Sequence, residues 1–166
     1  MHRIALAALA LVMFAGFSPS DDEMRVVNAV VDYHVEEARE FWAEVQRHDS
    51  ETMRGRGVRP AKLAVNLWTI GKRPAERLEW LAARRDLLVV AKEWTVQSDP
   101  ERFYARYPDA RGLLALALPT VTGDEAVVYA ELKMVFSEQG RRFYLRKRGG
   151  RWRIGRVEEV YVVPGC

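Results

Sequence analysis

The stretch RRFYLRKRGGRWRIGRVEEVYVV, from Arg141 to Val163, decides the fold. Gly149 and Gly150 divide two runs in which apolar and basic residues alternate, and a glycine pair supplies the positive φ angles that a two-residue hairpin turn requires. With those glycines as the turn, Arg148 faces Arg151, Lys147 faces Trp152, Arg146 faces Arg153 and Leu145 faces Ile154. Phe143, Leu145, Trp152 and Ile154 then share the buried side. Beyond Ile154 the apolar phase either slips to Val157 and Tyr161 or persists at Val160 and Val162, which predicts a bulge near Gly155.

The segment EAVVYAELKMVF, Glu125–Phe136, extends the same pattern upstream. Val128, Ala130, Leu132, Met134 and Phe136 point one way, while Tyr129, Glu131 and Lys133 point the other. Turns at Thr122–Asp124 and Ser137–Gly140 bound it, so the chain from Leu113 onward reads as an antiparallel meander. Asp99 and Pro100 form a cap and first position for a two-turn helix ending before Pro108. Leu87–Val96 reads as a strand, and Pro74 opens a short helix through AERLEWLAARR. Leu63–Ile70 reads equally as helix or strand, and residues 48–60 are a loop. From Met24 to Arg47 the residues Val27, Val30, Val31, His34, Ala38, Phe41, Trp42 and Val45 follow the spacing of one helical face. Asp32, Glu36, Arg39, Glu40 and Glu44 lie opposite, and Asp21 and Asp22 supply the cap and a favourable charge for the helix dipole.

The composition bounds what such a chain does. Its 166 residues are 49% hydrophobic and 30% charged, a profile that folds, and the net charge of +3 excludes wholesale wrapping of nucleic acid. A single cysteine, Cys166, excludes an internal disulfide framework and a four-thiolate zinc site. The three histidines show no HxxxH or HExxH spacing, and no glycine-rich phosphate loop, GxSxG or Cys-His arrangement appears, so no metal and no cofactor is expected. At the N-terminus His2 and Arg3 precede fourteen apolar residues, Ile4–Phe17, and then Ser18, Pro19 and Ser20. A spanning helix needs about twenty apolar residues, so residues 1–20 read as a signal peptide and 21–166 as a single α+β domain, exported to the periplasm or the extracellular space.

The order of a long N-terminal helix, short helices and a closing meander resembles the NTF2-like or cystatin-like α+β roll, in which helices pack on a curved antiparallel sheet. Phe103, Tyr104, Tyr107, Pro108, Asp109, Ala110, Arg111, Gly112 and Leu113, then AVVYAEL from Ala126 and the Gly149-Gly150-Arg151-Trp152 turn, look like a family of uncharacterised exported bacterial proteins. The likeness covers about the last eighty residues. This chain has only Ser137–Gly140 where family members carry a longer glycine-rich connection, and Ala117-Leu118-Pro119 in place of a Ser-Arg pair. The resemblance implies the roll and export, and it transfers no catalytic residue.

Two sets of residues are candidates for function. Between Arg141 and Arg156 there are eight basic residues and no acid. The hairpin register puts Arg146, Arg148, Arg151 and Arg153 on one face beside Tyr144. Like charges opposed across a ladder are unfavourable, so this face calls for compensation. Residues 21–51 hold ten acids against three bases, so the acidic face of the first helix is one source, and an external anion is another. The partners expected are an acidic protein, an anionic lipid or glycan surface, or a second copy in a homodimer, and not a specific nucleic acid. The residues alone also allow the bland reading, in which the arginines only guard a strand edge. The alternative function is an NTF2-like cavity enzyme performing acid–base chemistry on a small apolar ligand, with His34 as base and Tyr33 or Tyr129 beside it. Against it stands a His34 that merely fills the core. Glu93 and Glu131 are carboxylates on strands that would face either water or such a cavity.

Overall fold

Gly149 and Gly150 have φ of 56° and 74°, left-handed values that only glycine adopts without strain. They join β6 (Ser137–Arg148) to β7 (Arg151–Pro164). Arg148 pairs with Arg151, Lys147 with Trp152, Arg146 with Arg153 and Leu145 with Ile154, the register read from the sequence. Tyr144 then pairs with Arg156, which leaves Gly155 as the extra residue of a bulge. A second bulge leaves Val160 unpaired, since Gly140 faces Tyr161 while Arg141 faces Glu159. Each bulge resets the in–out phase of β7, so that Val157 still points to the core and Tyr161 lies across Gly140 on the outer face.

The computed structural model describes residues 20–48, 62–66, 79–90, 100–134 and 137–164. Residues 1–19 of the expected signal peptide, the loop after His48, most of the helix opened by Pro74, the strand beyond Val90, Glu93, Phe136 and Cys166 lie outside the described residues. The fold is α+β. The first helix, α1 (Asp21–His48), is followed by β1 (Lys62–Asn66), a 3-10 turn (Glu79–Ala83), β2 (Leu87–Val90), α2 (Pro100–Arg106), β3 (Ala110–Leu116), β4 (Thr120–Thr122), β5 (Glu125–Met134) and the β6–β7 hairpin. In β5, Ala126, Val128, Ala130, Leu132 and Met134 are buried and the residues between them are not.

The expected antiparallel sheet is corrected to a mixed one. Among the described residues seven strands form the sheet, in the order β2-β1-β3-β5-β6-β7 with β4 beside β5. β1 is parallel to both β2 and β3. Alternation within a strand carries no information about direction, whereas parallel neighbours require a long crossover connection. The chain provides two: the 3-10 turn lies between β1 and β2, and α2 between β2 and β3. Leu63, Ala64 and Val65 are buried in succession, as befits a strand covered on both faces.

The larger core lies between α1 and one face of the sheet. Val26, Val27, Val30, Val31, His34, Val35, Ala38 and Trp42 are the buried side of the 28-residue helix. The valines and Ala38 pack with Leu114, Leu116, Val128, Ala130, Leu132, Phe143, Leu145 and Trp152, and His34 meets Phe143. Trp42 Nε1 also donates to the Arg111 carbonyl at 2.5 Å. A smaller core of Ala64, Val90, Phe103, Ala110 and Leu113, joined by Tyr104 and Tyr107, occupies the opposite face beneath α2.

Ser20, not Asp21 or Asp22, caps α1. Its Oγ accepts from the Glu23 amide at 3.2 Å, and Glu23 Oε2 accepts from the Ser20 amide at 2.7 Å, the reciprocal arrangement of a capping box. Asp21 and Asp22 stand in the first turn, where the dipole favours their charge. Asp22 is thereby freed to reach across to the sheet. In the full chain, which keeps Ser20, Ser20→Ala is expected to lower stability by about 1 kcal/mol, more than Asp21→Ala does, as read from urea denaturation midpoints at constant m-value; a chain cut after Ser20, as the signal-peptide reading has it, would lose this cap.

Candidate functional site

The eight basic residues of the hairpin divide by what each side chain meets. Two turn inward to α1. Lys147 Nζ donates to Asp22 Oδ2 at 2.8 Å, and Trp152 Nε1 donates to Asp22 Oδ1 at 3.0 Å. These hydrogen bonds from Lys147 and Trp152 hold Asp22 below the usual carboxylate range. Arg141 Nη1 donates to both oxygens of Glu37, at 2.6 and 2.7 Å. The expected answer from helix acids therefore exists, but it comes from the side of α1 that meets the sheet. The exposed Glu36 and Glu44 pair with Arg39 and Arg47 on the helix itself.

The other six basic residues lie on the outer face. The Arg156 guanidinium sits 3.9 Å from the centre of the Tyr144 ring. The Tyr144 hydroxyl donates to Glu158 Oε2 at 2.6 Å, and Glu158 faces Arg142 at 3.7 Å and Arg156 at 3.6 Å. The Tyr144 hydrogen bond, then the two arginines, lower the Glu158 pKa. Arg146 meets Glu125 on β5 at 2.9 Å, with both side chains largely in water, where an ion pair contributes little. Arg148, Arg151 and Arg153 are exposed and have no ion-pair partner among the described residues. The predicted group thus shares one face, as expected, but its unneutralised part is the three arginines nearest the turn.

His34 and Tyr129 are not brought together. His34 is fully buried on the inner face, between α1 and β6. Its ring stacks edge-on against Phe143 at 5.2 Å and Tyr33 at 5.5 Å. Nδ1 lies 3.2 Å from Glu37 Oε2, and Nε2 has no hydrogen-bond partner among the described residues. This arrangement fits a neutral imidazole donating from Nδ1, because a proton on Nε2 would be a buried donor without an acceptor. Burial indeed holds His34 below its ordinary pKa, against the upward pull of Glu37. For Glu37 itself burial acts upward, but the hydrogen bonds from His34 and Arg141 outweigh it and the pKa falls. Tyr33 is partly exposed, with the Arg141 guanidinium 5.9 Å from its ring centre.

Tyr129 belongs to the other face of the sheet. Its neighbours Val128 and Ala130 are buried in the core under α1, so the pleat carries Tyr129 outward. There it joins a cluster that the sequence reading did not assemble. The Tyr129 hydroxyl donates to Glu131 Oε1 at 3.2 Å, and the Tyr161 hydroxyl donates to Glu138 Oε1 at 2.7 Å. Lys133 Nζ lies 3.3 Å from Glu138 and 3.9 Å from Glu131. Burial, and then the nearby carboxylates, raise the pKa of both phenols. Gly140 is the floor of this cluster: a Cβ there would come within 2.3 Å of the Tyr161 ring and 2.5 Å of the Tyr129 hydroxyl. The missing signal was the bulge at Val160, which has no glycine to mark it and which turns Tyr161 to this side.

Among the described residues no three His, Cys, Asp or Glu side chains converge as metal ligands. No described helix is long and apolar enough to cross a membrane. No family model and no curated protein matches the chain. Among solved structures, the chain is similar to a de novo designed β-sheet protein with a cystatin fold, at 16% identity and a TM-score of 0.29, covering 40% of this chain and 84% of that one.

The state of His34 has a measurable consequence. The unfolded chain takes up a proton near the ordinary value of 6.5, while the folded chain resists it. The His34 contribution is therefore present above that pH and lost as pH falls through it toward the depressed native value. Asp22 and Glu37, also depressed, add losses at lower pH in the same direction. Urea unfolding at pH 7.5 and 5.5 is expected to show lower stability at the acid pH, and His34→Gln, which keeps a donor but does not titrate, should flatten that difference.

Proposed function

We propose that this chain is an exported, non-catalytic binding or accessory module whose basic hairpin face docks on an extended anionic surface. The observation that carries this reading is the set Arg148, Arg151 and Arg153, exposed and without carboxylate partners among the described residues, flanked by Arg146 and by Arg156 on Tyr144. Arg148 opposes Arg151 and Arg146 opposes Arg153 directly across the ladder. At about 5.5 Å between the Cα atoms of facing residues and about 7 Å along a strand, the four arginines stem from a two-by-two array on one face. Such an array matches many anionic oxygens spread over a plane, in lipid headgroups, an acidic glycan or an acidic protein face, better than one small anion held in a pocket. Arginine also forks bidentately onto phosphate and carboxylate, which suits it to this task.

The finer fold reading belongs to the same proposal. A single helix laid along the inner face of β3, β5, β6 and β7 supports a cystatin-like or NTF2-like roll, with β1 and β2 added in parallel at one edge. The cavity-enzyme alternative has weaker support. His34 is sealed against Phe143 and Tyr33, and Tyr129 lies across the sheet from it.

Sedimentation with vesicles tests the docking surface. Vesicles containing acidic phospholipid should retain the protein at low salt and release it as ionic strength rises, while zwitterionic vesicles should not. Replacing Arg146, Arg148, Arg151 and Arg153 by Ser should weaken retention on the order of 10²–10³-fold, at about 1 kcal/mol per cation near an acidic surface. Parallel arms with an acidic polysaccharide and with an acidic protein distinguish the source of the anions. Salt-insensitive behaviour in every arm, unchanged by the four substitutions, would overturn the proposal.

A further inference from the structure

β7 is the edge of the sheet: β6 pairs along one side of its 14 residues and no described strand pairs along the other. Natural edges of that length are guarded against pairing by charge, proline or bulges. Both halves of β7 hold such guards, Arg151, Arg153, Arg156 and the Gly155 bulge in the first and Glu158, Glu159, the Val160 bulge and Pro164 in the second, so the charges of the two halves are opposite in sign. The second half carries Val160, Val162 and Val163, which are 46%, 43% and 53% exposed. With Tyr33 they are the large apolar side chains most exposed among the described residues.

We infer that β7 pairs antiparallel with β7 of a second copy, about a two-fold axis at Val157. The occupant follows from self-complementarity. The bulges place Arg151, Arg153, Arg156, Glu158, Tyr161 and Val163 on the outer face, and Trp152, Ile154, Val157, Glu159 and Val162 on the inner one. A two-fold normal to the sheet keeps each face on its own side, so only residues of the same face lie opposite one another. With the axis at Val157, Arg156 faces the partner's Glu158 and Glu158 faces the partner's Arg156. Arg153 then faces the partner's Tyr161, Arg151 the partner's Val163, and Trp152 the partner's Val162. The basic half of one strand covers the acidic and apolar half of the other. Shifting the axis to Arg156 or Glu158 would set that charge against its own copy, which disfavours those registers. The pairing also leaves both arginine tips on one face of a continuous sheet, roughly 40 Å apart at about 3.4 Å per residue.

Sedimentation equilibrium of the full chain tests this. The wild-type protein is expected to dimerise. Arg156→Glu and Glu158→Arg are each expected to weaken the dimer at least tenfold, since each sets like charges opposite across the axis. An equimolar mixture of the two variants should regain the dimer, because every Glu then faces an Arg across the axis while neither chain regains its own internal pair. A wild-type monomer at all concentrations, singles that dimerise as well as wild type, or a mixture no tighter than its components would overturn the inference. If either charge variant fails to fold, as judged by circular dichroism, Val162→Lys replaces it: this exposed position has little role in the monomer, and a dimer indifferent to the substitution would equally overturn the proposal.

Discussion

The structure depends on how α1 is fastened along β6 and β7. Asp22 reaches Lys147 and Trp152 at one end, and Glu37 grips Arg141 at the other. From Asp22 to Glu37 the helix advances about 22 Å, and from Lys147 back to Arg141 the strand covers about 20 Å. The two spacings agree, so both polar contacts form without bending either element. Between them lie Val26, Val27, Val30, Val31 and His34, packed with Phe143 and Leu145. The apolar stripe supplies the attraction, and the two charged contacts fix the helix in translation, because an unpaired charge at a half-buried position is costly.

That fastening also defines the candidate surface. By drawing Lys147 and Arg141 inward, α1 neutralises the cations on the core side and leaves those on the outer face to find other partners. Glu158 and Tyr144 answer Arg142 and Arg156, and Glu125 answers Arg146. The three arginines nearest the turn are left in water, two of them directly opposed. Opposed like charges weaken a ladder, and the stability of the hairpin comes instead from Leu145, Trp152 and the glycine turn. Under the proposed function, an external anion would relieve that repulsion.

Much of the hairpin was legible in the residues. The Gly149-Gly150 pair fixes the turn, the turn fixes the register, and the slip of apolar phase after Ile154 locates the Gly155 bulge, because each step is local. The β5 alternation is local as well. The helix cap is present in the sequence as Ser20-Asp21-Asp22-Glu23, but Asp and Ser cap about equally well, so the residues alone do not say which of the three does. The second bulge was not legible: Val160 has the same strand preference as its neighbours, and only the pairing of Gly140 with Tyr161 reveals it. With that bulge hidden, the grouping of Tyr129 with Tyr161, Glu138 and Lys133 could not be foreseen.

By itself the sequence determined the elements whose signals are short in range: the α1 stripe, the meander, the glycine turn and the face on which Arg146, Arg148, Arg151 and Arg153 emerge. Only the tertiary structure decided that β1 runs parallel between β2 and β3, that His34 is sealed beside Glu37 and far from Tyr129, and which cations have partners. The physical reason is that periodicity reports which side of an element is apolar, whereas strand direction and charge pairing depend on groups distant in the chain, such as Glu37 and Arg141, that meet only after the core has closed.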